Sequence, residues 1–310
     1  ISVFFPCYNE QDNITRVVEH ALTVLEKAGI DFEIIIVDDG SSDGGAGLVR
    51  LAAQEDNRFR LVRLSRGFGK EAAMTAGIRS ATGAAVVPMD ADGQDPASLI
   101  SRFIDHWLDG AQVVLGRRRS RANDTWAKRS SARAFYWLFN RITSVQMPPD
   151  VGDFRLMSAE AAQALNQLRE RHRFLRGMVA VVGFRQAIIP FDRPARFAGE
   201  TNYNRFLGSL RIGFNGIFCF STYALTLSTW LGFAVSGFSF LLTAIYLFYK
   251  LMGWPIAWGN PTLVILVSFL GGIQLISVGI LGEYIGRIYE EVRARPKFIV
   301  DRAEGLARRG

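Results

Sequence analysis

The sequence predicts an α/β domain with a mainly parallel sheet, followed by an interfacial helix and two membrane-spanning helices. Three observations predict it. Strand and helix signals alternate over residues 1–211, acidic and polar signatures fall where strands end, and from Ile212 to Gly282 the single charged residue is Lys250. Alternation of this kind implies parallel strands covered by helices on both faces. In such sheets ligands gather at the carboxyl ends of the strands. Composition narrows the classes further. The 310 residues carry a formal charge of +7 and a pI near 9.7, which points toward phosphates, nucleic acid or an anionic membrane surface. Two cysteines, Cys7 and Cys219, exclude a disulfide scaffold and a Cys-rich zinc module. A charged fraction of 21% with 23 Phe excludes a disordered chain.

The elements follow in order. ISVFF opens as a short apolar strand, and an amphipathic helix runs from about Asp12 to Ala28. FEIIIVDDG is a continuous apolar strand ending in Asp38 and Asp39. RFRLVRLS is a third strand, followed by a helix over Lys70–Ser80. AAVVPMD is a fourth, ending in Asp90; a helix then opens at Asp95-Pro96 and runs to about Leu108. AQVVLG is a fifth strand, leading into the basic stretch Arg117-Arg118-Arg119, Arg121, Lys128, Arg129 and Arg133.

Two apolar runs, Tyr223–Tyr249 and Pro261–Leu281, each exceed the roughly 20 residues that cross a bilayer core as a helix. Arg205 and Arg211 precede the first, and Arg287, Arg293, Arg295 and Lys297 follow the second, whereas the connecting loop holds only Lys250. That bias puts both termini in the cytoplasm and the loop outside. Trp254 and Trp258 in the loop suit an interface, and the flanking cations suit anionic headgroups. RFLGSLRIGFNGIFCF has the pattern of a helix lying in the interface. The expected organisation is therefore a catalytic domain over 1–204, an interfacial helix over 205–220, two spans over 221–286 and a basic cytoplasmic tail over 287–310. The sequons at Asn13 and Asn123 would stay unmodified on that side of the membrane.

Several motifs compete for the chemistry. Gly67–Ala72, GFGKEA, fits a dinucleotide fingerprint, with Asp90 about 20 residues on. Against it, the motif follows the third strand, the first strand-to-helix turn PCYNEQ lacks glycine, and Lys70 places a cation where a helix N-terminus alone meets pyrophosphate. No P-loop GKS/T is present. Asp90 and Asp92, two carboxylates at i and i+2 beyond a buried strand, can converge on a hard divalent ion, Mg²⁺ or Mn²⁺, with positions left for phosphate oxygens. Arg117, at a strand end near these acids, could grip a phosphate bidentately. His20, His106 and His172 are scattered and form no metal set. Nucleic acid is disfavoured, since no recognition module accompanies the basic stretch.

Taken together, Pro6-Cys7-Tyr8-Asn9-Glu10, Val37-Asp38-Asp39-Gly40-Ser41, Ser65-Arg66 with Phe68-Gly69-Lys70-Glu71, and Asp90-Ala91-Asp92-Gly93-Gln94-Asp95-Pro96 resemble family 2 glycosyltransferases of the GT-A (nucleotide-diphospho-sugar transferase) fold. Gly152-Asp153-Phe154-Arg155-Leu156, Gly199-Glu200-Thr201 and Gly282-Glu283-Tyr284-Ile285-Gly286-Arg287 after two spans are similar to the polyprenyl-phosphate glycosyltransferases, which include bactoprenol glucosyltransferases and dolichol-phosphate mannose synthases.

The resemblance implies a nucleotide-sugar donor, a divalent metal, an undecaprenyl-phosphate-like acceptor, a place in the cell inner membrane and a homo-oligomer, a tetramer. Carried over, Pro6, Tyr8, Glu10, Asp38 and Asp39 would hold base and ribose, with Lys70, Asp90 and Ala91 completing the donor site. Asp90, Asp92 and Gln94 would bind the metal. Arg117, Lys128 or Arg129, and Arg205 would face the acceptor phosphate. Asp153, Asp92 and Arg117 would be the catalytic groups, Asp153 positioning the acceptor or taking a residual proton. Two departures stand out: Asn202 follows Thr201 where a lysine is frequent, and Gly67 replaces a frequent Asn. The pattern of Gly152–Leu156 and Arg173–Gly177 looks most like the glucosyl branch. An inactive nucleotide-sugar binder and a flippase component are the readings from other classes.

Overall fold

A computed structural model describes residues 1–45, 47, 56–119, 137, 139–143, 146–168, 170–171, 173–194, 218, 220–253 and 260–305, with backbone alone at 260–262 and 264. The chain forms two compact units, Ile1–Gly216 with Pro296–Gly310, and Ile217–Arg295.

The first unit is built on one sheet. Its elements are β1 (Ser2–Cys7), α1 (Gln11–Ala28), β2 (Glu33–Asp38), β3 (Phe59–Leu64), α2 (Lys70–Ser80), β4 (Ala85–Pro88), α3 (Leu99–Leu108), β5 (Val113–Arg118), β6 (Val151–Ser158), α4 (Ala159–Gln167), α5 (Leu175–Val181) and β7 (Gln186–Phe191). A last strand, β8 (Val300–Glu304), comes from the C-terminal end. The strand order is β7-β5-β6-β4-β1-β2-β3-β8. The pairs β1–β2, β1–β4, β2–β3 and β5–β7 are parallel, while β3–β8, β4–β6 and β5–β6 are antiparallel. The architecture is therefore α/β with a mixed, mostly parallel sheet.

Strand alternation distributes the core. Val3, Phe5, Ile34 and Ile36 point to one face, where Ile14, Val17, Ala21 and Leu25 of α1 and Ile100 and Phe103 of α3 cover them. Phe4 points to the other face, against α2. A Cβ on Gly77 of α2 would lie 2.2 Å from the Phe4 ring, so only glycine lets this helix lie so close to the sheet.

The mainly parallel α/β sheet is as expected; the strand signals read from the sequence stop at five, and β6 inserts antiparallel between β4 and β5. One expectation is corrected here. The segment 287–310 is not a separate tail. The helix runs on to Val292, and β8 pairs with β3 through Leu61↔Glu304, Val62↔Ala303 and Arg63↔Arg302. β8 escapes a periodicity reading because VDRAE is a polar edge strand, exposed along most of its length.

The second unit holds α6 (Tyr223–Leu251) and α7 (Asn260–Val292). Tyr223–Leu251 and Ile265–Val292 have mean hydropathies of 1.9 and 2.1, and both are long and apolar enough to cross a membrane. No residue of α6 is buried within the protein, the condition of a helix whose apolar surface is covered by something else. The Tyr284 hydroxyl donates to the Ser221 carbonyl at 2.7 Å, and Arg287 stacks 5.4 Å from the Phe218 ring centroid. These contacts join the entry of α6 to the far end of α7. The interfacial helix expected over 205–220 and the loop tryptophans lie almost wholly outside the described residues.

Candidate active site

Parallel strands β1, β2, β3 and β4 deliver their C-terminal turns to one edge of the sheet. Antiparallel β6 brings its beginning to that same edge, since Val151 pairs with Arg117 at the end of β5. Asp153, near the start of β6, thus meets residues that follow β3 and β4.

The β1 and β2 turns are knitted together. Asn9, in a left-handed conformation at φ 52°, donates its N–H to Ser41 Oγ at 3.0 Å and accepts from Ser42 N–H at 3.0 Å. Asp38 accepts from Ser41 N–H at 2.8 Å and pairs with Arg63 at 3.3 Å. Glu10 accepts from Asn13 Nδ2 at 2.6 Å. A cleft between these turns is lined by Glu10, Gln11, Asp38, Ser41, Asp43 and Gly45. Pro6 is the last residue but one of β1, and Tyr8, just beyond the strand, is half exposed.

Asp39 does something the sequence does not announce. Its two carboxylate oxygens accept the N–H groups of Phe68 at 2.7 Å and Gly69 at 2.8 Å, clamping the loop before α2. Gly40, at φ +71°, packs on that loop so closely that a Cβ would lie 2.5 Å from the Arg66 carbonyl carbon. A Cβ on Gly67 would meet Tyr8 and Asp39, so the loop closes over the half-exposed tyrosine. Burial pushes the Asp39 carboxyl up against these two stabilising N–H groups.

The clamped loop aims Lys70, the first residue of α2. Its Nζ lies 2.6 Å from Asp90 Oδ1 and 3.0 Å from Asp153 Oδ2. Burial alone would lower the ammonium pKa, but the carboxylates of Asp90 and Asp153 outweigh it and the pKa is raised. Arg176, in the first turn of α5, grips Asp153 bidentately at 2.8 and 3.1 Å. Arg155, only 2% exposed, approaches Asp153 Oδ1 at 3.5 Å and donates to the carbonyls of Gly152 and Asp153. Burial opposes ionisation of Asp153, yet Arg176, Lys70 and Arg155 hold its carboxyl well below the usual range.

The DAD turn is shaped by a third carboxylate. Asp95 accepts the Asp90 N–H at 2.9 Å, and Asp92 Oδ1 accepts the Gln94 N–H at 3.1 Å. Ala91 is buried beneath the turn. Burial, with Asp90 alongside, pushes the Asp95 carboxyl up to about 7. Glu71 is likewise pushed up to about 7 by burial and by Asp153. Among the described residues no three His, Cys, Asp or Glu side chains gather as a complete metal cage. Asp90 and Asp92, half-buried on one turn with hard oxygen donors, fit a divalent ion that takes its remaining ligands from a diphosphate and water.

The basic side differs from the expectation at one residue. Adjacent strand residues point to opposite faces; Arg117 is exposed and makes no described contact with the site carboxylates, whereas Arg118 does face them. Burial, then the charges of Arg193 and Arg176, lower the Arg118 pKa, and Asp95 and Asp90 oppose them. The Nε atoms of Arg118 and Arg193 are buried and meet no hydrogen-bond acceptor among the described residues. Choosing Arg118 within the arginine triplet needs the phase of the strand, which sequence alone does not supply. Arg155, Arg176, Arg193, Glu71 and Asp95 were not singled out as site residues either, although the RFLRG pattern contains Arg176. Lys128, Arg129 and Arg205 lie outside the described residues.

Strand-end carboxylates, a lysine between Asp90 and Asp153 and guanidiniums beside them, at the C-terminal edge of an α/β sheet, are consistent with a glycosyltransferase of the GT-A class. The chain belongs to glycosyl transferase family 2, whose model matches residues 2–165. It is 43% identical over 308 residues to an uncharacterized glycosyltransferase of Synechocystis sp., covering 99% of this chain and 96% of that one. A prophage bactoprenol glucosyl transferase homolog of Escherichia coli is 36% identical, with 98% and 99% covered. The SfII prophage-derived bactoprenol glucosyl transferase of Shigella flexneri is 38% identical, with 98% of each covered. The dinucleotide alternative for GFGKEA falls with this family membership, and Lys70 is accounted for by its two carboxylates.

Proposed function

We propose that this chain transfers glucose from UDP-glucose to the phosphate of undecaprenyl phosphate or a similar polyprenyl phosphate, with inversion, at the cytoplasmic face of the membrane. The observation that carries the reading is a donor-side DAD turn and an acceptor-side guanidinium group facing each other. It is supported by near full-length likeness to proteins named bactoprenol glucosyl transferases, and by two helices long enough to span a bilayer.

In the proposed reaction an oxygen of the lipid phosphate forms a bond to the anomeric carbon as that carbon's bond to the diphosphate oxygen breaks. The nucleoside diphosphate leaves with the electron pair. A phosphate monoester has a second pKa of about 6, so the nucleophile is already largely dianionic at neutral pH and needs no strong base. Asp153, held ionised by three cations, is a poor proton acceptor. Its role is positional: it fixes Lys70 and Arg176 between donor and acceptor. Arg118 and Arg193 would receive the acceptor phosphate, their Nε groups, which meet no acceptor among the described residues, offering bidentate donors together with the terminal N–H groups, while Arg176 stays on Asp153. Asp90 and Asp92, with Gln94, would hold Mg²⁺ or Mn²⁺, which supplies charge neutralisation to the departing diphosphate when bound. Tyr8, Glu10 and Asp38 would receive base and ribose. Both termini lie in the cytoplasm in this reading, and the chain assembles as a homo-oligomer.

The test incubates membranes containing the full chain with labelled UDP-glucose, GDP-mannose or an aminoarabinose donor, with Mn²⁺. Organic-extractable label from UDP-glucose that vanishes in Asp92→Ala supports the reading. Label from another donor alone would replace glucose, and no labelled lipid from any donor would sink the transferase to a polyprenyl phosphate.

A further inference from the structure

The charge arrangement around Lys70 implies more than donor contact. Asp153 is amply neutralised without it, by the bidentate Arg176 and by Arg155. Asp90 is not: among the described residues Lys70 is its one ion-pair partner, at 2.6 Å. The oxygen so occupied is one that a divalent ion would need, at roughly 2.0–2.2 Å. An ammonium and a dication oppose each other there, because they would stand within a few ångströms of one another with only the one carboxylate between them.

We infer that Lys70 is an internal counter-ion of Asp90 that competes with the divalent metal, so that metal and nucleoside diphosphate bind cooperatively through it. The inference rests on the reading of Asp90 and Asp92 as the metal ligands. Arrival of the metal at Asp90 costs the Lys70–Asp90 pair. A diphosphate bound alongside returns a counter-ion to the ammonium, which also stays within reach of Asp153. Metal alone therefore binds weakly, and metal with diphosphate binds well. The two carboxylates are meanwhile kept from facing each other without a cation between them. The Lys70 side chain is 42% exposed, so it is not packed in on every side and can change position. The clamp of Asp39 on Phe68 and Gly69 holds the backbone fixed, so the exchange is one of side-chain position.

The measurement is Mn²⁺ binding to the full-length chain in detergent micelles, read from the electron paramagnetic resonance of free Mn²⁺, with and without UDP. Lys70→Met is expected to bind Mn²⁺ about tenfold more tightly than the native chain in the absence of UDP, the scale of one charge-assisted hydrogen bond exchanged. The enhancement by UDP shrinks correspondingly. Lys70→Gln, which keeps a polar side chain if Met impairs folding, should behave as Lys70→Met does, and Lys70→Arg should retain the weak metal binding. If the native chain binds Mn²⁺ with UDP but Lys70→Met and Lys70→Gln bind it no more tightly without UDP, the counter-ion inference is wrong and the ligand assignment stands. If Mn²⁺ binding with UDP is absent, or is unchanged by Asp92→Asn, the ligand assignment and the inference fall together.

Discussion

Replacing Asp153 by Asn tests whether its carboxylate organises the site or serves as a base. The side chain is 11% exposed and meets Arg176, Lys70 and Arg155. The amide keeps the shape and removes the charge. Arg176 and Lys70, at 32% and 42% exposure, regain part of their hydration, so their share is screened. Arg155 cannot, being almost fully buried, and is left with the carbonyls of Gly152 and Asp153. Removing one partner of a buried pair costs about 3–5 kcal/mol, and the two solvated partners put this case near the lower end, about 3 kcal/mol. In a domain of this size each kcal/mol moves Tm by roughly 2–4 °C, so a fall of about 6–12 °C is expected. A depressed carboxyl pKa stabilises the folded state above the ordinary value near 4, and the benefit fades as pH falls through the folded pKa. Between about pH 5 and 7 loss of the Asp153 charge also relieves Glu71, so the clean window lies above it: the gap between native and variant should stay constant from about pH 7.5 to 9, measured by intrinsic fluorescence melts in detergent. Turnover should drop far more than donor affinity. A Tm within about 2 °C of native, or a gap that closes toward high pH, would refute the ion-cluster account. Near-native turnover would remove Asp153 from the mechanism.

Three further outcomes follow from the same geometry. Arg118→Ala should raise the KM for polyprenyl phosphate about tenfold or more, the scale of one lost charge-assisted hydrogen bond, while Arg117→Ala stays within about twofold; equal effects would remove the distinction drawn between these neighbours. Glu71, raised to about 7, binds a proton in the folded chain that the unfolded chain releases near its ordinary pKa, so its contribution to stability declines as pH rises from about 4.5 to 7 and is lost above that. Glu71→Gln keeps an acceptor for the Leu175 N–H; it should flatten that slope and melt higher than the native chain at pH 8, and a parallel slope in both would overturn the assignment. Lys250→Cys, in a Cys7→Ala, Cys219→Ala background, should react with a membrane-impermeant maleimide from the outside of intact cells, whereas labelling only after lysis would reverse the topology.

Much of this was legible because it is local. β2 ends on Asp38 with Asp39 next and Asp90 follows soon after β4, and a buried parallel strand leaves little choice about where its polar terminus emerges. The two long apolar helices were equally plain, since a stretch of this length with one charge is long and apolar enough to cross a membrane. What escaped depends on contacts across the chain. β6 follows the basic stretch and pairs backwards between β4 and β5, so nothing in its own eight residues announces that Asp153 will stand beside Asp90. Arg155 in that strand reads as a surface residue by type, yet it is buried, because the Asp153 carboxylate and two carbonyls satisfy it.

The residue whose meaning shifts most is Asp39. By motif it belongs with Asp38 at the nucleoside, but both of its oxygens are committed to backbone N–H groups of the next loop. A carboxylate so engaged contributes by fixing geometry: it sets where Gly69 ends the loop and hence where Lys70 begins its helix. Lys70 in turn spans Asp90, which follows β4, and Asp153, which belongs to β6. One line of contacts thus runs from the end of β2 through the loop after β3 to β4 and β6, crossing the sheet at its C-terminal edge. Hydrogen bonds and ion pairs of 2.6–3.0 Å thus link Asp39 to Asp153 without a break other than the Gly69–Lys70 backbone. The cleft is therefore assembled by the order in which the strands pair, and the acids that look interchangeable in the sequence divide into those that hold the loop, those that suit a metal and one that holds the arginines.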